Sequence, residues 1–491
     1  MKRGILAALA ACCLAACILA GCGGEAAEPI VPVSYTIEER KDILNDTTLK
    51  MDSSFYDPEV RAAYFAQLEI IRGDYFAPGS VPDEEFTKFL EIKKEMLTAP
   101  TGGYPTLMFE TTSTPQKGIY QPARVTIIDG GSVTEAKIDM AVRGNSTAAA
   151  PKKPYNIKFE EPVSLFGLEE GRKWSLLANM FDRTMLRNHM ALDFGRAIGL
   201  DYTSECTFAE VWVNGKYQGN YLVCEPVSDG KNRVGIDTAG HDFILEITPF
   251  GGWSFVTGAG VPLLYDSPEA PTEEQKAWLN TFLAEAEKAL KTRDMDVYSE
   301  YIDVQSFVDF YILMELFKDV DGYWKSLYCY VEDGKLCAGP AWDFDLTCGN
   351  VSLTYKEENY FNYHNTNGHG DKSGDSTHGF RMHYGWFDML LDDAQYAKAV
   401  RERYMELQGL ITSLYKGEGS RMDELLSENA VSFAREYRES RPGDHGAGWD
   451  IMKEYSIYAG ESKGDFDANV AFLRTWLAER NAWLLEHIGE K

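Results

Sequence analysis

The spacing of apolar residues changes near Tyr104, and this change constrains the fold more than any other feature of the sequence. Before Tyr104, the stretches 58–72 and 83–97 follow the spacing of amphipathic helices. After it the period is two, as in half-buried strands. Strands are predicted at residues 107–109, 123–128 and 137–143. The sequence therefore predicts a helical segment followed by a β-rich region.

Helical spacing returns further along the chain, where it alternates with two hairpins. Helices are predicted over residues 184–198, 273–291 and 304–318, and over most of 386–487. The second of these helices begins with the capping box Thr272-x-x-Gln275. The turns Asn214-Gly215 and Asp333-Gly334 predict the hairpins. This order predicts an α+β chain, with a β-rich lobe before a helix-rich lobe.

The N-terminus has the pattern of a lipoprotein signal peptide. Lys2 and Arg3 precede an apolar run that ends at Leu-Ala-Gly-Cys22, and the run is too short for a lasting transmembrane helix. We predict that acylated Cys22 anchors the protein to the outer face of the cell membrane. The predicted segments are a signal peptide (1–22), a tether (23–45), a helical accessory segment (46–103) and a large domain (104–487).

The strongly acidic composition excludes nucleic acid as a partner. The chain has 76 acidic and 48 basic residues, a net charge of −28, and loss of Lys2 and Arg3 changes this to −30. Binding to a phosphate backbone needs a net basic surface, which this chain lacks. An acidic surface keeps an exposed protein soluble and could attract basic partners.

Five of the nine cysteines follow Cys22, and an odd number argues against a full disulfide framework. The hairpin turns place Cys206 opposite Val223, and Cys329 opposite Ala338. Cysteines of one hairpin would then point to opposite faces of the sheet. We therefore expect buried free thiols at Cys206, Cys224, Cys329, Cys337 and Cys348.

Residues 351–383 interrupt the helical pattern with small polar residues and histidines. The histidines are His364, His369, His378 and His383. Their spacing matches no standard metal-ligand motif, so we expect a surface loop here in preference to a metal site.

Residues 143–158 concentrate basic side chains in a chain that lacks the common catalytic motifs, such as a P-loop or Gly-x-Ser-x-Gly. The cations are Arg143, Lys152, Lys153 and Lys158, and no acid lies between them. Small residues in this loop leave the backbone open to a ligand, and basic groups at its borders could hold phosphate oxygens. Structural ion pairs or a solvated basic patch are the alternatives.

Two acidic clusters flank the second hairpin, at residues 318–326 and 342–345. The register from Asp333-Gly334 places Trp324 opposite Asp343, so Asp321 should lie near Asp343. Phosphoryl transfer needs one carboxylate to orient the attacking hydroxyl and another to hold Mg²⁺. The alternative is that these aspartates only cap turns.

Four motifs, taken together and in order, resemble the CotH kinase family. They are Arg-Gly-Asn-Ser…Pro-Lys-Lys-x-Tyr-x-Ile-Lys-Phe (143–159), Asn179-x-x-Asp182-x-x-x-x-Leu-Arg187-Asn188, Val213-Asn-Gly-Lys-Tyr-x-Gly-x-Tyr-Leu-Val-x-Glu225 and Trp342-Asp-Phe-Asp-Leu…Gly349-Asn350. The resemblance implies a divergent, two-lobed protein-kinase-like fold. It also implies transfer of phosphate from ATP, with Mg²⁺ or Mn²⁺, to Ser or Thr of surface or spore-coat proteins.

The resemblance assigns roles by position. Asp321 matches the catalytic aspartate, and Ser326, where many relatives carry Asn, joins it in the catalytic set. Asp343 and Asp345 are assigned to the metal. Cofactor binding is assigned to Arg143, Asn145, Ser146, Lys153, Lys158 and Glu225.

The expected partner is a protein acceptor rich in Ser and Thr, and a basic acceptor is one candidate. The main alternative is a catalytically inactive surface protein that uses the same scaffold to bind a cell-wall or host ligand. A carbohydrate-active enzyme with Asp343 and Asp345 as its acid pair is least favoured, because a glycosidase does not need the clustered cations.

Overall fold

A computed structural model describes residues 34–44, 56–248, 252–320, 326–350, 374–377, 379–438 and 465–491. These residues belong to two compact units. The first unit contains residues up to 46 together with 62–93, and the second contains 47–61 and 94–491.

The N-terminal helices are α1 (Ile37–Leu44), α2 (Pro58–Ile71), α3 (Gly73–Phe76) and α4 (Asp83–Thr101). The predicted helices over 58–72 and 83–97 are confirmed as α2 and α4, and α1 lies in the stretch predicted as a tether. In the first unit Arg40 is buried; it donates to Asp74 Oδ1 at 3.0 Å and to the carbonyl of Val81 at 2.8 Å. These bonds join α1 to α3 through Asp74 and to the segment after α3 through Val81.

The β-rich part of the second unit is a closed barrel. Its strands are β1 (Thr106–Thr111), β2 (Gln121–Asp129), β3 (Ser132–Val142), β4 (Tyr155–Val163), β5 (Gly171–Leu177), β6 (Cys206–Val213) and β7 (Lys216–Cys224). Around the barrel the order is β1-β2-β3-β4-β5-β7-β6. All pairs are antiparallel except β1–β6, which is parallel and closes the barrel.

The predicted two-lobed, protein-kinase-like fold is wrong, because the core region contains this closed seven-stranded barrel. The chain does combine helices and strands, as predicted. Alternation of apolar residues predicts that strands exist and which face is buried. It does not specify pairing between strands far apart in sequence, such as that of Thr106 with Glu210. That pairing decides between an open sheet and a barrel.

A β-bulge overturns the predicted register of the first hairpin. Val213 pairs with Lys216, as the turn predicts, but the register shifts between Val211 and Trp212. As a result Cys206 lies opposite Cys224 instead of Val223. A bulge adds one residue to one strand, and nothing in the turn itself predicts it. All five described cysteines are free thiols; Cys206 is half-buried and the others are buried.

A second sheet lies in the same unit. Its strands are β8 (Phe243–Ile247), β9 (Phe255–Val256), β10 (Pro262–Ser267), β11 (Leu327–Glu332) and β12 (Lys335–Ala338), in the order β12-β11-β8-β10-β9. The hairpin β11–β12 has the predicted register, with Cys329 opposite Ala338 and Tyr330 opposite Cys337. Tyr328 of β11 lies opposite Glu246 of β8, so the start of β11 adjoins that carboxylate.

The remaining helices are α5 (Arg187–Ala197), α6 (Glu273–Leu290), α7 (Met295–Tyr298), α8 (Val304–Phe317), α9 (Gly385–Leu391), α10 (Ala394–Glu406), α11 (Gln408–Tyr415), α12 (Arg421–Glu428), α13 (Ala430–Arg438) and α14 (Phe466–His487). The predicted capping box of Thr272 and Gln275 is confirmed at the start of α6. Helix α8 is central, since all residues from Phe307 to Phe317 are buried. Its Glu315 pairs with Arg480 of α14 at 3.0 Å, with both side chains fully buried.

Among the helices of the described ranges, none is long and apolar enough to span a membrane. The predicted signal peptide with Cys22 lies outside those ranges, as do His364, His369 and His378. His383 is described: its ring stacks on Phe380 with centroids 4.8 Å apart.

Candidate active site

The outer face of the barrel carries charged residues in neighbouring strands. Ile157 and Phe159 of β4 are buried in the barrel, so Lys158 between them faces outward. Asp139 of β3 lies directly opposite Lys158, and Lys173 of β5 lies opposite it on the other side. Three charged side chains therefore form a row across β3, β4 and β5.

Arg143 links this outer face to the segment that follows β12. Its guanidinium carbon lies 5.3 Å from the ring centroid of Trp342, a cation–π distance. Tyr328 lies close by, and burial raises the pKa of its hydroxyl. The carboxylates of Glu246 and Asp266 raise this pKa further, whereas the positive charge of Arg143 lowers it. The basic face of the barrel and the acidic part of the second sheet therefore meet around Tyr328.

The central contact of the candidate site joins Ser326 and Asp343. The Ser326 hydroxyl donates to Asp343 Oδ2 at 2.9 Å, and the Ser326 backbone N–H donates to Glu246 Oε1 at 3.1 Å. Both Ser326 and Asp343 have positive φ, +60° and +66°. This conformation costs about 1–3 kcal/mol per residue and concentrates at functional sites. The structure therefore brings together two residues that the sequence assigned to one site.

Two buried asparagines fix the main chain around the candidate metal residues. Asn188 Oδ1 accepts the N–H of Phe344 at 2.6 Å. Asn350 Nδ2 donates to the carbonyl of Asp345 at 2.6 Å and to a second main-chain carbonyl at 2.7 Å. A buried polar group that loses its partner costs about 1–3 kcal/mol. These bonds therefore restrain the chain on either side of Phe344.

Arg187 of α5 holds the turn that follows Asp345. Its Nε donates to the carbonyl of Thr347 at 3.0 Å, and its Nη1 pairs with Asp182 Oδ1 at 2.5 Å. Asp182 also accepts the main-chain N–H of Arg187 at 2.8 Å. Arg187 and Asn188 lie in a motif that carried the resemblance, but sequence reasoning missed their role. Side chains that bind distant main-chain groups leave no local pattern to recognise.

The cations of residues 143–158 have different environments, and Lys152 is structural. Its buried Nζ pairs with Glu436 at 3.0 Å and donates to the carbonyl of Asn220. It also lies 4.6 Å from the ring centroid of Tyr221. The alternative of a structural ion pair in the basic loop therefore holds for this lysine.

The loop residues that were assigned to the cofactor lie nearer the surface than Lys152. Lys153 Nζ donates to the carbonyl of Ala148 at 2.9 Å, and burial lowers the pKa of Lys153. Asn145 Oδ1 accepts from Lys117 at 3.3 Å, and Ser146 precedes a short 3₁₀ helix. No contact brings these residues to Asp343 in the described part of the chain, and their roles stay predictions.

Glu225 has a partner of its own. Its carboxylate pairs with Arg233 at 2.5 Å and accepts the N–H of Glu205 at 3.2 Å. Burial raises the pKa of Glu225, and the charge of Arg233 opposes that rise. If Glu225 binds a cofactor, as predicted, it does so while paired with Arg233.

The profile of the CotH kinase protein family matches residues 140–484. The chain belongs to the CotH kinase protein family. The matched range includes the assigned residues from Arg143 to Asp345, as well as Arg187, Asn188 and Asn350.

A curated relative supports the same family. The inner spore coat protein H of Bacillus subtilis (strain 168) is 27% identical to this chain over 220 residues. The similar region covers 43% of this chain and 59% of the relative. The chain thus spans less than two thirds of that coat protein.

Membership of the CotH kinase family suggests a nucleotide and a divalent cation. Asp343 and Asp345 offer carboxylate oxygens, the donors that Mg²⁺ and Mn²⁺ prefer. Within the described ranges, no three His, Cys, Asp or Glu residues are grouped to hold a metal ion. Asp321, the further carboxylate assigned from the sequence, lies outside those ranges. Because Asp343 and Asp345 carry carboxylate oxygens, their donor chemistry fits a hard cation.

Proposed function

We propose that this protein transfers the γ-phosphate of ATP to Ser or Thr side chains of a protein acceptor, with Mg²⁺ or Mn²⁺. The contact of Ser326 with Asp343 at 2.9 Å carries the proposal, because it lies beside the Trp342 ring that Arg143 covers. Carboxylates suited to a cation and a guanidinium suited to phosphate thus occur together in a CotH kinase family member.

Each assigned residue has a separate task in this proposal. Asp343 and Asp345 hold the divalent cation, which supplies positive charge to the phosphates when it is bound. Arg143 and Lys158 bind phosphate oxygens. As the acceptor oxygen bonds to the γ-phosphorus and ADP leaves, Asp321 takes the hydroxyl proton.

The buried asparagines support these tasks by restraining the chain in advance. Asn188 accepts the N–H of Phe344, between the two candidate metal residues, and Asn350 donates to the carbonyl of Asp345, each at 2.6 Å. Charged groups that are fixed before the reaction need no reorganisation during it, which lowers the barrier to transfer.

We further propose that the protein works outside the cell membrane, held by lipid on Cys22. The similar protein of Bacillus subtilis is named an inner spore coat protein, so coat or surface proteins are the proposed acceptors. A basic acceptor rich in Ser and Thr would suit a chain with a net charge of −28.

The decisive experiment compares Asp343→Asn with Asp321→Asn in the purified protein without its signal peptide. Asp343→Asn removes a charge that a hard cation requires, so metal-dependent ATP binding should fall. Asp321→Asn should keep ATP affinity and lower kcat by about 100-fold or more, as expected for loss of a group that orients the hydroxyl. ATP binding is measured by calorimetry, and turnover by labelled phosphate on a Ser-rich basic peptide.

Asp333→Asn is the matched control, because Asp333 lies exposed at the turn of the β11–β12 hairpin. It makes the same chemical change and should leave binding and turnover unaltered. Equal turnover of wild type and both site variants would show that the proposed site is wrong.

The second candidate is a coat or surface protein without catalysis, and it is favoured by the similarity to an inner spore coat protein. On this reading the scaffold binds a partner and transfers no phosphate. Absence of ATP binding by the wild type with either Mg²⁺ or Mn²⁺ would support this candidate over the kinase.

A further inference from the structure

A cleft of about 390 Å³ lies beside the candidate active site, between residues 170–173 at the start of β5 and residues 228–233 after β7. Four cations line this cleft, together with the acids Glu170 and Asp229. The cations are Arg172, Lys173, Lys231 and Arg233. We call this region the basic cleft.

Lys173 and Lys158 are like charges placed directly opposite each other. They are paired in register across β4 and β5, and both side chains are exposed. Neither forms an ion pair with another described residue, whereas Arg172 pairs with Glu161 at 3.0 Å. Like charges in this position destabilise a sheet. An anion bound near the two lysines would attract both side chains and offset the repulsion between them.

Lys231 lies on the opposite wall of the basic cleft, on a loop that is ordered by its own hydrogen bonds. Gly230 N–H donates to the carbonyl of Val234 at 3.1 Å, and Val234 N–H donates to the carbonyl of Ser228 at 3.1 Å. Lys231 is exposed and forms no ion pair in the described ranges. The loop therefore presents this cation from a defined backbone.

Arg233 supplies a buried cation beneath the cleft. Its side chain is 8% exposed, pairs with Glu225 at 2.5 Å and lies 4.9 Å from the ring centroid of Trp174. A Cβ at Gly171 would overlap Nη2 of Arg233, so glycine there makes room for the guanidinium. Buried Nη2 makes no hydrogen bond within the described residues. The cleft wall therefore retains an unused donor.

The basic cleft is electrostatically joined to the candidate active site. The carboxyl of Asp266 has a pKa raised by burial and by Glu246 and Asp229, while Lys173 of the cleft opposes the rise. Glu246 is also the acceptor for the N–H of Ser326. Asp266 thus interacts electrostatically both with Asp229 and Lys173 of the cleft and with Glu246, the carboxylate that binds Ser326.

The strand register gives the separation between the basic cleft and Arg143. Val142 is opposite Tyr155, which is opposite Leu176, so Arg143 is level with the residue that follows Leu176. Lys173 precedes that level by about four residues, or about 13 Å along the strands, and lies two strands away, about 10 Å to the side, so the separation is about 16 Å. An extended acceptor chain covers this distance in about five residues.

We propose that the basic cleft binds a phosphate already carried by the protein acceptor, about five residues from the hydroxyl that receives the next phosphate. A phosphorylated serine is close to a dianion at neutral pH and accepts charge-assisted hydrogen bonds from lysine and arginine. Glu170 and Asp229 on the same walls disfavour a triphosphate and suit a single phosphate beside a basic residue. The inference rests on the proposed function.

Binding is tested first, without catalysis, using fluorescent Ser-rich basic peptides with and without one phosphoserine. The phosphorylated peptide should bind wild type about tenfold more tightly at low salt. Lys173→Glu combined with Lys231→Glu should abolish that difference. Lys216→Glu is the control, because Lys216 is exposed on the same barrel at the far end of β7. Equal affinity of wild type for the two peptides overturns the inference.

Turnover is tested with peptides that carry the phosphoserine at about two, five or nine residues from the target serine, on either side. The value of kcat/KM should be highest at about five residues for wild type and independent of spacing for the double variant. If the double variant instead loses ATP affinity as strongly as phosphopeptide affinity, the cleft serves the nucleotide and the inference is overturned. Wild type that binds the phosphopeptide selectively but never transfers phosphate would contradict the proposed function and leave the binding site standing.

Discussion

Replacing Asp266 with Asn should stabilise the protein at neutral and alkaline pH. Asp266 is mostly buried in β10, and burial together with Glu246, Glu269 and Asp229 raises the pKa of its carboxyl from 3.8 to about 6. Burial and neighbouring acids both disfavour the charged form. Asparagine keeps the size of the side chain and carries no charge, so the variant avoids this penalty.

The magnitude follows from the two pKa values. Each pKa unit corresponds to about 1.4 kcal/mol, so ionised Asp266 lowers the free energy of unfolding by about 3 kcal/mol relative to its protonated form. Because the folded-state pKa is raised, the folded protein binds the proton more tightly than the unfolded chain. Stability from this group is therefore present below pH 3.8 and is lost as the pH rises through about 6.

The assay is denaturation in urea at several pH values between about 4 and 8, for wild type, Asp266→Asn and the exposed control Asp333→Asn. At the acid end the Asp266 variant and wild type should be similar. Near pH 8 the variant should unfold with a free energy higher by about 2–3 kcal/mol, and the control should not. A difference that does not change with pH would refute the reasoning.

Three further predictions concern other parts of the molecule. Lys152→Ala should lower the free energy of unfolding by about 3–5 kcal/mol in urea denaturation, because it strands the buried carboxylate of Glu436, whereas Lys153→Ala should cost about 1 kcal/mol or less. Asn350→Ala should weaken Mn²⁺ binding, measured by electron paramagnetic resonance, because the carbonyl of Asp345 loses its donor at 2.6 Å. Cys22→Ser should move the protein from the membrane fraction to the medium, and unchanged membrane retention would contradict lipid anchoring.

The local elements of this protein were predictable from sequence because short-range patterns determine them. The capping box at Thr272 marked the start of α6, and Asp333-Gly334 set the register of the β11–β12 hairpin as observed. In the other hairpin the same reasoning failed beyond Trp212, where the bulge shifts the register and brings Cys206 opposite Cys224. Turn residues fix pairing only until an extra residue enters one strand.

Long-range features could not be predicted in the same way. The kinase-like architecture was wrong because the parallel pairing of β1 with β6 has no local pattern. In the candidate site, the sequence assigned Ser326 and Asp343 to one site because they flank the β11–β12 hairpin, and the structure joins their side chains by a hydrogen bond. It did not identify Asn188 and Asn350 as supports of the same segment, because their bonds to the main chain join residues far apart in sequence.

The position of β1 in the barrel limits how far the protein can be shortened. The family profile begins at residue 140, inside β3, so a fragment of residues 140–484 would lack β1, β2 and most of β3. Such a fragment would leave β6 with an unpaired edge and open one side of the core to water, which favours aggregation. The smallest piece able to fold independently must therefore start ahead of Thr106, well before the boundary of the family.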